Sequence, residues 1–366
     1  MSNEWAGVIQ ANMPKYVKGL ESLVARERII FAMLKKKGRI KYNESSYECK
    51  WNVQYSQPTV NPYEDGNLNS FTRHDPSRQL TIDWRGYTST DVLSKKERLM
   101  AKSDVAIYKR YDRIASDLRQ SMTDSFGKEV FVDGYAAGNE SRLAGLESFM
   151  GHTTCSSSDK IAQPNDTYAG LATNLGDQGG SWSSDSTTQP NTSLGTDWPN
   201  GSGTSEYDYL APKLLNTDHD WGGGSNGWSA NAEYIIRRGV SWLRLTGGET
   251  GRPDLLLTNG EMLAEYKDSM SSKQRIVVPS KAADDLGFQD SCKQEGITLY
   301  DDFEVAPGVA YLLNVDKMSL RSLSDSLFFS EGPDYLLDNL SWRWLCGYFG
   351  NMTFSPKFFG KIADFT

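Results

Sequence analysis

The sequence predicts an α+β fold, and three patterns predict it. Residues 47–55, YECKWNVQY, and 80–85, LTIDWR, place apolar side chains at every second position, the period of half-buried strands. Residues 14–37 and 90–126 carry them at helical spacing instead. Residues 251–268, GRPDLLLTNGEMLAEYKD, run from a proline through an apolar stretch and Thr258-Asn259-Gly260 into a helix-like segment, which reads as strand, turn and helix.

In the first helix Pro14 suits the opening turn. Leu20, Leu23, Val24, Phe31 and Leu34 form its apolar stripe, Lys35 to Lys37 suit its C-terminal dipole, and Gly38 ends it. Along 47–55, Tyr47, Cys49, Trp51, Val53 and Tyr55 point one way and Glu48, Lys50, Asn52 and Gln54 the other. Leu80, Ile82 and Trp84 share a face of the next strand. The turn-rich SQPTVNPYEDGNLNSFTRHDPSR between them makes the pair a long β-ribbon with an irregular tip. Two strands alone are marginal in water. Either the ribbon folds onto its own domain, or another chain covers its aromatic face.

Residues 90–126 read as one helix, with Asp91 near its start and Gly127 closing it. Ile107, Tyr111, Ile114, Leu118 and Met122 lie on one side. At about 1.5 Å per residue it spans roughly 50 Å, a structural spine. From 150 to 230 the composition shifts to Gly, Ser, Thr and Asn with isolated Trp182 and Trp198, the character of a long surface insertion. Order returns with a helix at 229–248 and strands at 297–305, 309–315 and 318–323. The closing LSWRWLCGYFGNMTFSPKFFGKIADF is aromatic and strand-like.

A chain of 366 residues has room for two or three domains, and 38% hydrophobic with 23% charged residues fits a soluble globular protein. The net charge of −8 argues against a dedicated nucleic-acid binder and against an anionic membrane surface as partner. The N-terminus lacks a secretory pattern, and no apolar run approaches the roughly 20 residues needed to span a bilayer, so a cytoplasmic site of synthesis and use is expected. Cys49, Cys155, Cys292 and Cys346 show no metal-type spacing; reduced thiols are expected, with Cys49 a small buried hydrophobe.

Candidates for chemistry fail on context. Gly222 to Gly227, GGGSNG, fits a phosphate-cradling pattern that needs a strand immediately before it, but the preceding LLNTDHDW reads as polar and irregular. As a nucleophile elbow it would make Ser225 reactive, yet the last histidine, His219, precedes it. His219 between Asp218 and Asp220 has no second ligand set, His152 near Cys155 has no orienting partner, and His74 sits in a turn-like run. Asp301, Asp302 and Glu304 bunch where like charges face water. No catalytic residue, metal site or cofactor is expected.

The order of elements resembles the major capsid proteins of tailed bacteriophages, the Johnson fold. Three ordered segments carry the resemblance: GRPDLLLTNGEMLAEYKDSMSSKQRI, EGITLYDDFEVAPGVAYLLNVDKMSLR and GYFGNMTFSPKFFGKI. It implies an N-terminal arm over 1–41, an extended β-hairpin loop over 42–89, and a peripheral domain with the spine helix over 90–135. An axial domain over 136–320 then includes the insertion 150–230, and C-terminal strands over 321–366 return to the peripheral domain. It further implies self-assembly as pentamers and hexamers into an icosahedral head enclosing double-stranded DNA, contacted without sequence preference. The shell would assemble in the bacterial host cytoplasm, with a portal and decoration proteins as further partners and no membrane. No long N-terminal scaffolding region precedes the arm, so a separate scaffold, or none, is implied. The strand-helix stretch becomes a rigid wedge near a symmetry axis. Tyr47, Trp51, Val53, Tyr55, Leu80, Ile82 and Trp84 become intersubunit contacts. Two other readings compete: an encapsulin-like nanocompartment subunit, and a glycan-binding phage structural protein using the exposed tryptophans.

Overall fold

A computed structural model describes residues 28–54, 77–100, 104–150, 167–173, 180–182, 209–217, 227–272 and 292–363, with positions 58, 60–62, 65, 66, 71 and 73 of the intervening connection. The helical stripe at Leu20, Leu23 and Val24 lies outside them, as does most of 150–230. Helix α1 covers Ile29–Lys36, and its residues Ile29 to Leu34 are all buried. It is therefore enclosed on every side here, and Gly38, at φ +62°, turns the chain out of it.

A seven-stranded sheet runs in the order β10 (Cys292–Gln294), β11 (Ile297–Asp301), β9 (Leu255–Thr258), β12 (Val309–Leu313), β16 (Gly360–Ala363), β8 (Lys213–Asn216) and β7 (Gly180–Trp182). One face, with Leu215, Leu256, Leu299, Leu312 and Ile362, shares a core with Trp228, Ile235, Ile236 and Leu243 of helix α5 (Trp228–Gly247) and Met262, Leu263 and Tyr266 of α6 (Gly260–Ser272). The other face, with Leu255, Leu257, Tyr311 and Leu313, belongs to a second and larger core. A strand covered on both faces reads as an unbroken apolar run, which is why Leu255, Leu256 and Leu257 stand together. At the exit of β9 the Asn259 Oδ1 accepts the Met262 amide at 3.0 Å and caps α6. The turn residues there start a helix.

The second sheet has five strands. In it β15 (Ser341–Phe354) pairs with β4 (Arg85–Ser94) over ten registered positions, and with β14 (Phe329–Leu336) and β13 (Met318–Ser322). The short β1 (Ile40–Lys41) joins β13 in parallel. The spine helix, Asp104–Glu129, presents the buried row Ile114, Leu118, Met122 and Phe126 to the larger core. Tyr111 meets Trp344 with ring centroids 5.2 Å apart. The side chain of Ile107 lies outside the described residues.

The structure corrects the helix boundaries. Residues 90–94 are strand, because Thr90 and Val92 continue the two-residue alternation of β4 along β15. The next helix, α2 (Lys95–Met100), is opened by a capping box. The Glu97 amide donates to Ser94 Oγ at 3.2 Å, and the Ser94 amide donates to Glu97 Oε2 at 3.4 Å. The spine, α3, starts only at Asp104. Gly127 lies inside it and does not close it. A further helix, α4 (Glu147–Met150), and the strand pair β5 (Thr167–Tyr168) and β6 (Leu171–Ala172) pack at the seam of the two sheets.

Candidate intersubunit site

The ribbon forms as expected. Strands β2 (Cys49–Gln54) and β3 (Ser77–Ile82) are antiparallel, with Cys49 opposite Ile82, Trp51 opposite Leu80 and Val53 opposite Arg78. Cys49, Trp51, Val53, Leu80 and Ile82 lie on one face, while Lys50, Asn52, Gln54 and Gln79 are exposed on the other. The root is anchored by Arg321 of β13, whose Nη1 donates to the Lys50 carbonyl at 3.2 Å.

What covers the apolar face is the chain itself. Cys49, Val53, Leu80 and Ile82 are buried in the larger core, and Trp51 and Trp84 are half-buried against it. The Trp51 ring lies 6.1 Å from that of Tyr168, and Trp84 Nε1 donates to the Ser46 carbonyl at 2.9 Å. Tyr55 lies outside the described residues. Of the six described side chains expected to meet a neighbour, only Tyr47 stands free, at 96% exposure. The alternation identified which residues share a face; tertiary packing of 167–168 and β13 beneath it decided what that face meets. Leu80→Ala is accordingly expected to lower subunit stability by about 2–5 kcal/mol in urea unfolding. A change below ~1 kcal/mol would place this face outside the subunit core.

The exposed apolar residues sit elsewhere. In the β2–β3 connection, Val60 is 92% and Phe71 95% exposed. They joined no periodic pattern in the sequence, so only their apolar character inside a turn-rich run marked them. A second exposed group gathers at one end of the five-stranded sheet. The Lys95 amide donates to the Leu340 carbonyl at 2.8 Å, which brings α2 with Leu99 and Met100 beside the β14–β15 turn with Leu337 and Leu340. Solitary exposed apolar residues are ordinary on a monomer, whereas groups of them mark contact surfaces.

Sites weighed for chemistry fall differently. His74, His152, His219, Asp218, Asp220, Cys155 and residues 222–226 lie outside the described residues, and Gly227 directly precedes α5. Burial pushes the Cys49 and Cys292 thiols up to about 11 each, which leaves them protonated and unreactive at neutral pH. The acidic group at 301–304 is the clearest correction. Asp302 does not face water: it is buried and paired with Arg28 at 2.8 Å, and Glu304 reaches the same guanidinium at 3.3 Å. Burial holds the Asp302 carboxyl above the usual carboxylate range, against the pull of Arg28. Among the described residues no three His, Cys, Asp or Glu side chains converge as a metal site, and no helix is long and apolar enough to cross a membrane.

No protein-family model matches the chain, and no curated protein gives a significant match. Solved structures do match. The chain is similar to one from the cyanophage A-1(L) capsid asymmetric unit, with a TM-score of 0.59 and 11% identity over 90% of both chains. It is also similar to a chain of the native GTA particle capsid, with a TM-score of 0.51 and 10% identity over 92% of this chain and 90% of that one. At such identities the likeness is one of fold. The fold is the α+β Johnson fold.

Proposed function

We propose that the chain is the major capsid protein of a tailed bacteriophage, and that its copies associate as pentamers and hexamers into a closed icosahedral shell around double-stranded DNA. The observation that carries this reading is the likeness over nine-tenths of the chain to a subunit of the cyanophage A-1(L) capsid. The exposed apolar residues support it. Tyr47, Val60 and Phe71 on the ribbon reach toward one neighbour, and the Leu99, Met100, Leu337 and Leu340 group meets another. Trp51, Val53, Leu80, Ile82 and Trp84 act indirectly, by fixing the ribbon root to its own subunit. In this reading the peripheral unit comprises the five-stranded sheet with α3, so that it begins at Arg85, and the axial unit is the seven-stranded sheet with α5 and α6, to which β16 also belongs.

The role is structural and not enzymatic, and the place of the protein is the virion. The net charge of −8 keeps packaged duplex mobile against the wall, since a strongly basic lining would hold phosphates by counterion release. A portal and decoration proteins complete the particle, which assembles in the host cytoplasm. The test is the content of particles recovered from lysed host cells. Nuclease-protected duplex DNA inside shells of this chain is the expected result. A protein cargo in DNA-free shells would replace the reading with that of a nanocompartment.

A further inference from the structure

We infer that Arg28 is a positioning residue that sets the angle between the two sheets, and with it the shape that neighbouring copies must match. Its consequence for assembly rests on the capsid reading; its effect on the subunit does not. Arg28 immediately precedes α1, and its carbonyl accepts the Ala32 amide at 3.1 Å. Its side chain is 2% exposed. Nη1 donates to Asp302 Oδ1 at 2.8 Å and Nη2 to Glu304 Oε1 at 3.3 Å, and the guanidinium lies 3.9 Å over the Phe303 ring. Those three residues directly follow β11 of the seven-stranded sheet. On its other side the guanidinium rests on Gly127 of α3, where a Cβ would overlap Cζ, Nε and Nη2. Helix α3 packs on the five-stranded sheet. One planar group therefore fills the seam between the two halves, and the spine helix carries a glycine where a side chain would expel it.

Two features separate this group from an ordinary stabilising pair. A buried ion pair contributes little net stability, and well-packed neutral replacements of both partners are often as stable. The Nε of Arg28 is also buried with no hydrogen-bond partner, an arrangement not optimised for stability. At the far end of α1, Lys37 bridges Asp254 beside β9 and Asp316 after β12, and Arg39 also reaches Asp316. These contacts hold α1 to the seven-stranded sheet, while Arg28 extends the hold to the spine. A planar fork fixes direction at both ends, which a lysine ammonium does not.

The test uses the double variant Arg28→Met/Asp302→Asn, which removes both buried charges together, beside Arg28→Lys and Gly127→Ala. Spin labels at Asp117→Cys on α3 and Arg244→Cys on α5, in a Cys155→Ser background, read the angle in the unassembled subunit. The double variant is expected to keep the wild-type urea midpoint, to broaden the label distance distribution at least twofold, and to lower the yield of uniform closed particles at least tenfold. Gly127→Ala should broaden the distribution likewise. An unchanged distribution would overturn the inference, as would particles of wild-type yield and diameter from the double variant. A broadened distribution in a chain whose wild type forms no particles would leave the positioning role standing and remove the capsid reading.

Discussion

Replacing Phe126 by alanine is expected to destabilise the subunit by about 3–5 kcal/mol, a large part of the 5–15 kcal/mol by which domains are usually stable. Its ring is fully buried and touches rings from four separate segments: Phe31 of α1 at 6.1 Å, Tyr87 of β4 at 6.0 Å, Phe328 ahead of β14 at 4.9 Å and Tyr348 of β15 at 4.8 Å. The hole cannot close easily, because two of these neighbours are held by hydrogen bonds. Tyr348 donates to the Arg321 carbonyl at 2.7 Å. Tyr87 donates to Glu129 Oε2 at 2.5 Å and accepts the Leu143 amide at 2.7 Å. A cavity lined by pinned side chains relaxes little, which puts the loss in the upper part of the range for such substitutions. The urea midpoint should fall with the slope unchanged. A loss under ~1 kcal/mol would mean that the spine helix does not organise the core.

The second large effect separates assembly from folding. Tyr47→Ser/Val60→Ser/Phe71→Ser removes three side chains that touch almost nothing in the single chain. Subunit stability should move by no more than about 0.5 kcal/mol, as for surface changes generally. Burying each side chain against a neighbour is worth roughly 1.5–3 kcal/mol, and the contact repeats at every subunit of a shell. Closed particles should therefore disappear while the circular dichroism spectrum and the urea midpoint stay at wild-type values. Unfolding of the triple variant would move the ribbon connection into the subunit core, and normal particles would free it of any role in assembly.

Much of the fold is legible in the sequence because its signals are local. Alternation gave the faces of β2 and β3. Steps of three and four gave the buried row of α3, and the proline, apolar run and Asn259-Gly260 gave β9 and α6. Helical spacing runs on through Thr90 to Ser94 and so places the first helical turn too early, although Ser94-Lys95-Lys96-Glu97 carries the capping-box signature that opens α2 ahead of the spine. Gly127 reads locally as a terminator, yet its lack of a side chain answers to Arg28, 99 positions away in sequence and adjacent in space. Asp302 reads locally as a solvated charge for the same reason: its partner is 274 residues distant. The candidate site was only partly legible. Period two shows which side chains share a face, and no local pattern reports whether Tyr168 or a second subunit lies over it. Val60 and Phe71 follow no period at all.

The central claim is that this chain builds a closed shell, and electron micrographs of the purified full-length protein at concentrations that permit association test it most directly. The expected image is of uniform closed particles whose averages resolve rings of five and six copies, with the ribbon of one copy lying on the next. A homogeneous monomer across a wide range of salt and protein concentration, with Tyr47, Val60 and Phe71 still exposed, would contradict it.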